Sequence, residues 1–218
     1  MDWFRRTAWA SNDRLDFEAR LSRARRHNRA QYLRIQAAHL EGTGKPELIA
    51  EALGLLERML RDYPDRIERA PAHSQRARCL AQLGRVAEAL DAYRAALAQE
   101  REFPNVITNA WLDFGWLALT KGLLESRAAE VDAILREREG GRSSCVFPAH
   151  EYMLHTLRAL LAALHGSEDA ARAHARQALT AARAARSRFA RHPHVGLVHT
   201  PDERILQRLR ALAGEAPD

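Results

Sequence analysis

The chain has only two cysteines, Cys79 and Cys145, set 66 residues apart and outside any CxxC pair. Paired thiolate ligands for a structural zinc are therefore excluded. Lysine is almost missing, with Lys45 and Lys121 its only examples. Aromatic residues make up 6% of the chain. β-branched residues are scarce, and no stretch alternates apolar and polar residues long enough to read as a sheet. The longest apolar run, 159–164, is far short of the roughly 20 residues that span a bilayer. The N-terminus, Met1-Asp2-Trp3-Phe4-Arg5-Arg6, has no apolar core of a signal peptide. A reducing cytoplasm and no membrane partner are the expectation. G-x-S-x-G, Walker, G-x-G-x-x-G and H-E-x-x-H signatures are all missing, and Asp169, His174 and Ser187 share no telling spacing. The expectation is a non-enzymatic protein with no cofactor and no metal.

What is present is helical. Hydrophobic residues are 46% and charged residues 28%, ordinary values for a folded domain. The apolar share is mostly Ala and Leu, the strongest apolar helix formers. An all-α class follows. The formal charge is +6, from 34 basic against 28 acidic residues, and nearly all the basic ones are arginine. Arginine excess can serve phosphate or nucleic-acid recognition. The accompanying Ala excess points instead to codon bias. A charge of +6 spread over about ten helices is also a weak footprint beside a dedicated basic patch.

Turn signals divide the 218 residues into helices near 12–27, 29–41, 46–62, 71–83, 86–100, 104–121, 124–139, 148–165, 168–190 and 201–213. Pro46, Pro71, Pro104, Pro148 and Pro201 suit the first helical position, where a missing N–H is harmless. Ser167 precedes an acidic first turn, and Thr200-Pro201-Asp202-Glu203 reads as a capping box. Gly84, Gly122 and Gly166 separate helices within pairs, and Gly140-Gly141 opens a loop.

The pairs repeat. Ala77, Leu83-Gly84, Ala89, Tyr93, Ala96 and Leu97 recur 82 residues on as Ala159, Gly166, Ala171, Ala175, Ala178 and Leu179. Trp111-x2-Phe114-Gly115, Gly122 and Leu135 mark a looser copy. Another runs from Tyr32 and His39 through Ala52, Leu56 and Met59 to Pro64, with the insertion Glu41-Gly42-Thr43-Gly44. These residues resemble the tetratricopeptide repeat, over roughly residues 29–185. Offsets are about 37, 38 and 44 residues, against the family's 34. The resemblance implies a right-handed α–α superhelix, a tetratricopeptide-like solenoid of about ten helices forming one domain over 1–218. Residues 1–28 would cap one end, and 186–218 would supply a strap and cap the other. Such stacks share one core and leave a concave surface for a protein or peptide.

Four constellations are candidates for more than packing. Arg20, Arg23, Arg25, Arg26, His27 and Arg29 form a basic helix, for an anionic partner or simply for solvent, and in the following helix Arg34 and Gln36 could reach the groove. Arg172, Arg176, Arg183, Arg186, Arg188 and Arg191 make a second basic stripe. His192, His194 and His199 allow a metal, although Val195, Leu197 and Val198 read better as a packing strap. Trp116 is either a groove anchor or core. The repeat register puts Arg34, Gln75, Arg78, Gln82, Asn109, Asp113, Trp116, Thr156 and Leu160 on the concave side. The function expected from these positions is partner binding in that groove. Nucleic-acid binding and an inhibitor or immunity role are the alternatives. The Lys and Asn set that clamps a peptide's terminal carboxylate in some tetratricopeptide domains is not present, so that specificity is not carried over.

Overall fold

The computed structural model describes residues 3–139 and 147–215, and no strand occurs among them. Cys145 and the Gly140-Gly141 loop opening lie outside the described residues. Ten helices follow in order: α1 (Ser11–Arg23), α2 (Arg26–Glu41), α3 (Pro46–Asp62), α4 (Arg66–Gln82), α5 (Val86–Glu102), α6 (Ala110–Thr120), α7 (Ala128–Glu139), α8 (Pro148–Leu164), α9 (Glu168–Ala182) and α10 (Glu203–Ala213). None of the described helices is long and apolar enough to cross a membrane. The chain divides into two compact units, Met1–Asp113 and Phe114–Asp218.

In the first unit α2 packs with α3 and α4 with α5, while α3 joins α4 and α2 also meets α4. The cause lies in the helix faces. On α3, Ile49, Ala52, Leu53, Leu56 and Met59 form one buried stripe at helical spacing. On α5, Ala89, Ala92 and Ala96 are closed off completely or nearly so, and their small side chains let a neighbouring helix come close. An N-terminal arm folds back onto this unit. Trp3 lies 5.2 Å from Phe17 and 5.0 Å from Tyr32 between ring centroids. Gln36 holds the arm: Arg6 N–H donates to Gln36 Oε1 at 3.0 Å, and Gln36 Nε2 donates to the Arg6 carbonyl at 2.7 Å.

The turns within pairs share one construction. Arg85 N–H donates to the Leu80 carbonyl at 2.9 Å across Gly84, whose φ is +77°. Leu123 to Ala118 across Gly122 (2.7 Å) and Ser167 to Ala162 across Gly166 (2.9 Å) repeat it. This is a Schellman stop, in which a left-handed residue satisfies the last carbonyls of a helix. The α2–α3 turn differs, as its insertion predicts: the Thr43 hydroxyl donates to the Leu40 carbonyl at 2.7 Å instead.

Several predicted boundaries move. Pro71 is inside α4, which starts at Arg66 because Asp65 caps it, accepting from Ile67 N–H at 2.9 Å and Glu68 N–H at 3.1 Å. Pro104 starts nothing. Residues 103–109 form a connector in which Glu100 accepts the Thr108 amide at 2.9 Å and its hydroxyl at 2.6 Å, and α6 begins at Ala110. α9 stops at Ala182, not 190. α10 is capped by Asp202, which accepts from Arg204 N–H at 2.8 Å, rather than by Thr200.

The second unit centres on the pair α8 and α9, with α10 laid against both. Tyr152, Ala159, Ala175, Ala178, Leu179, Leu206 and Leu209 share its core, to which α10 supplies Leu206 and Leu209. In α6, Gly115 permits a close approach: a Cβ there would stand 2.7 Å from Leu157 Cδ1. The strap after α9 crosses the start of α8, where Ala149 N–H donates to the Gly196 carbonyl at 2.8 Å. Of its predicted packing residues, Val198 joins the core and Val195 is 48% exposed.

Candidate partner-binding surface

The groove residues of the first unit come from α2, α4 and the start of α6. Arg34 on α2 forms an ion pair with Glu68 on α4. Arg78 on α4 grips Glu41 at the end of α2 with two bonds, Nε to Oε1 at 2.8 Å and Nη2 to Oε2 at 3.2 Å. Gln82 Nε2 stands 3.4 Å from the same carboxylate. Both acids are shut from water, Glu41 at 9% and Glu68 at 8% exposure, so each needs its guanidinium. The partners are separated by 34 and 37 residues, which is one repeat.

The charge of Arg78 also interacts electrostatically with Tyr93 on α5 and Asp113 on α6. Asp113 is partly buried. Burial pushes its carboxyl up to about 6, and the pull of Arg78 does not offset this. The Tyr93 hydroxyl is driven up by burial, with the Asp113 charge adding to the effect. Burial likewise pushes the Cys79 thiol up to about 12, and the Glu41 charge adds to it. Cys79 and Tyr93 therefore stay neutral near pH 7. Asn109 is exposed at the head of α6, where its carbonyl accepts Leu112 and Asp113 N–H groups at 2.9 Å.

Three predicted groove positions face inward. Gln75 is 2% exposed, and its Nε2 finds no partner among the described residues. It sits mid-way along α4, which α2, α3 and α5 all contact. In the second unit Thr156 and Leu160 are 0% and 1% exposed, because α7, α9 and α10 all contact α8. Trp116 is half-buried. It meets Tyr152 edge-on at 5.6 Å and packs against the core of α8, α9 and α10. Gln36, also expected near the groove, is fully buried as the clip on Arg6.

The two basic stripes are interrupted. α1 ends at Arg23, so Arg26 opens a new helix and does not extend the Arg20 and Arg23 face. Arg20 binds Asp16 at 2.9 Å, and Arg29 binds the Ser22 carbonyl at 2.7 Å. With α9 ending at Ala182, Arg183 and Arg188 leave the stripe to bind Glu215 at 2.9 Å and Glu151 at 2.8 Å. His192, His194 and His199 are exposed along the strap, and no three metal-ligating side chains converge among the described residues.

Sequence reasoning missed a second polar contact. His155 on α8 and His174 on α9 bring Nδ1 within 3.2 Å of Nδ1, and Gln177 Oε1 is 3.1 Å from the latter atom. The ring centroids are 5.3 Å apart and the ring planes are inclined by 21°. A 19-residue separation across a helix turn leaves no mark in the helical periodicity. Comparison with known families, curated proteins and solved structures finds no match for this chain.

Proposed function

We propose that this protein is a tetratricopeptide-like interaction module that binds a partner protein or peptide along its first-of-pair helices, without catalysis. One observation carries the reading. Side chains one repeat apart meet across α2 and α4, as Arg34 meets Glu68 and Arg78 meets Glu41. Successive first-of-pair helices are thus laid side by side, which is how helix-pair repeats expose a shared recognition face. Arg78, Gln82 and Asn109 are exposed on that face. The recurring Schellman turns at Gly84, Gly122 and Gly166 support the same kinship.

A photo-crosslinking side chain at Gln82 tests this, with a second at Arg61 on α3 as the control. Both positions are exposed. In extract of the native host, crosslinks to a discrete partner should form from position 82 and not from 61. Equal labelling from both, or none from 82, would remove the groove as the binding face.

Nucleic-acid binding is the second reading. It rests on Arg23, Arg25, Arg26 and His27, which are exposed together at the α1–α2 turn and make no ion pair among the described residues. Against it, Arg34 and Arg78 are both committed to carboxylates. Filter binding of generic RNA at two salt concentrations separates the readings, since phosphate contacts weaken steeply with salt.

A further inference from the structure

We propose that His155 and His174 form a two-histidine site for a divalent transition ion of the zinc class, with Gln177 as the neighbouring oxygen donor. The site goes beyond the partner-binding reading and does not rest on it.

Packing of α8 on α9 brings two imidazoles from different helices together. Nδ1 of His155 stands 3.2 Å from Nδ1 of His174, and Gln177 Oε1 stands 3.1 Å from the latter atom. Zinc binds imidazole nitrogen at about 2.0–2.1 Å, so two nitrogens on one tetrahedral ion are about 3.3–3.4 Å apart. The pair is therefore already set close to the span of a single ion. His174 and Gln177 are three residues apart on α9 and share one of its faces. With both rings in the Nε2–H tautomer, both Nδ1 atoms carry lone pairs, and a neutral pair binds an ion in place of the hydrogen bond between them.

The surroundings suit an exchangeable ion rather than a structural one. His155 and Gln177 line a surface pocket of about 420 Å³ together with Glu151, Arg176 and Thr180. Glu151, one turn before His155, brings a carboxylate that Arg188 holds at 2.8 Å. Arg176 is exposed, where solvent screens its charge. Two imidazoles and an amide fall short of three His, Cys, Asp or Glu side chains, and no such group of three occurs among the described residues. Water from the pocket fills the remaining positions. Imidazole ligands favour zinc, copper or nickel, whereas magnesium and calcium take oxygen.

The test titrates the full chain, stripped of metal, with zinc chloride and with magnesium chloride at about pH 7.5, where an ordinary imidazole is mostly neutral. Calorimetry reads the affinity, and histidine ring nitrogen shifts locate the ion. Zinc should move the Nδ1 resonances of His155 and His174 together, and magnesium should move neither. His155→Ala and His174→Ala should each weaken zinc binding about tenfold or more, while His192→Ala with His194→Ala on the strap should not. Because the ion joins two helices only in the folded chain, zinc should also raise the Tm of the wild type and of the strap variant, but not of either single variant. Unmoved Nδ1 resonances, a shift at one ring only, or binding that survives His155→Ala and His174→Ala would overturn the proposal and leave the pair as a hydrogen bond between helices. The wild-type shifts decide the matter even where a variant fails to fold.

Discussion

Asp113 should weaken the folded state at neutral pH, and removing its charge should strengthen it. Its folded carboxyl lies at about 6 against an ordinary 3.8, so the folded chain holds that proton more tightly than the unfolded chain does. Below the unfolded value both states are protonated and nothing is lost. As pH rises through about 6, the folded state must ionise a group that burial keeps from water, and stability falls. A gap of roughly two pH units corresponds to about 3 kcal/mol once ionisation is complete. Asn cannot ionise. The stability of Asp113→Asn relative to wild type should therefore climb by about 2–3 kcal/mol between about pH 4 and about pH 8. In a chain of this size that is a difference of about 5–10 °C in Tm. Urea titrations of both proteins at five pH values measure it. The slope of the difference is the readout, because any fixed penalty for burying an amide cancels along the series. A difference that stays flat with pH, or that runs the other way, would refute the reasoning about Asp113.

Three further outcomes are expected. Gly196→Ala should destabilise the chain by more than about 2 kcal/mol, because the new Cβ would fall 2.2 Å from Phe147 Cδ1 at a φ of +72°. A Tm within error of wild type would disprove that contact. Gln36→Ala should cost about 1–3 kcal/mol and expose the Arg6 amide to rapid hydrogen exchange, since two bonds to the Arg6 backbone disappear. Protection unchanged at Arg6 would show that the aromatic contacts alone hold the arm. In a Cys145→Ser background, Cys79 should resist iodoacetamide at about pH 8 until the chain is denatured, because burial pushes its thiol up to about 12 and keeps the thiolate scarce. Alkylation at the rate of a free thiol would contradict this.

The sequence by itself determined the helical class and the places where pairs turn. Both depend on local physics. Ala- and Leu-rich stripes at helical spacing need only their own helix, and Gly84 and Gly166 stop a helix by bonds that reach back five residues. Pro46 and Pro148 open α3 and α8 as read, for the same reason. Pro71 misled because the helix already starts at the Asp65 cap and runs on through this proline, its sixth residue, at the loss of the backbone bond to Ile67. The tertiary structure decided which polar residues remain on a surface. Gln75, Thr156 and Leu160 share the register of Gln82 and Asp113, yet lie under neighbouring helices. Register says which way a side chain points along its own helix. It does not say whether another helix covers that direction. Charge pairing has the same origin: Arg34 and Arg78 look like free cations in a list of residues and prove to be partners of Glu68 and Glu41. The raised carboxyl of Asp113 has that origin too, since its burial is a product of packing that no list of residues records.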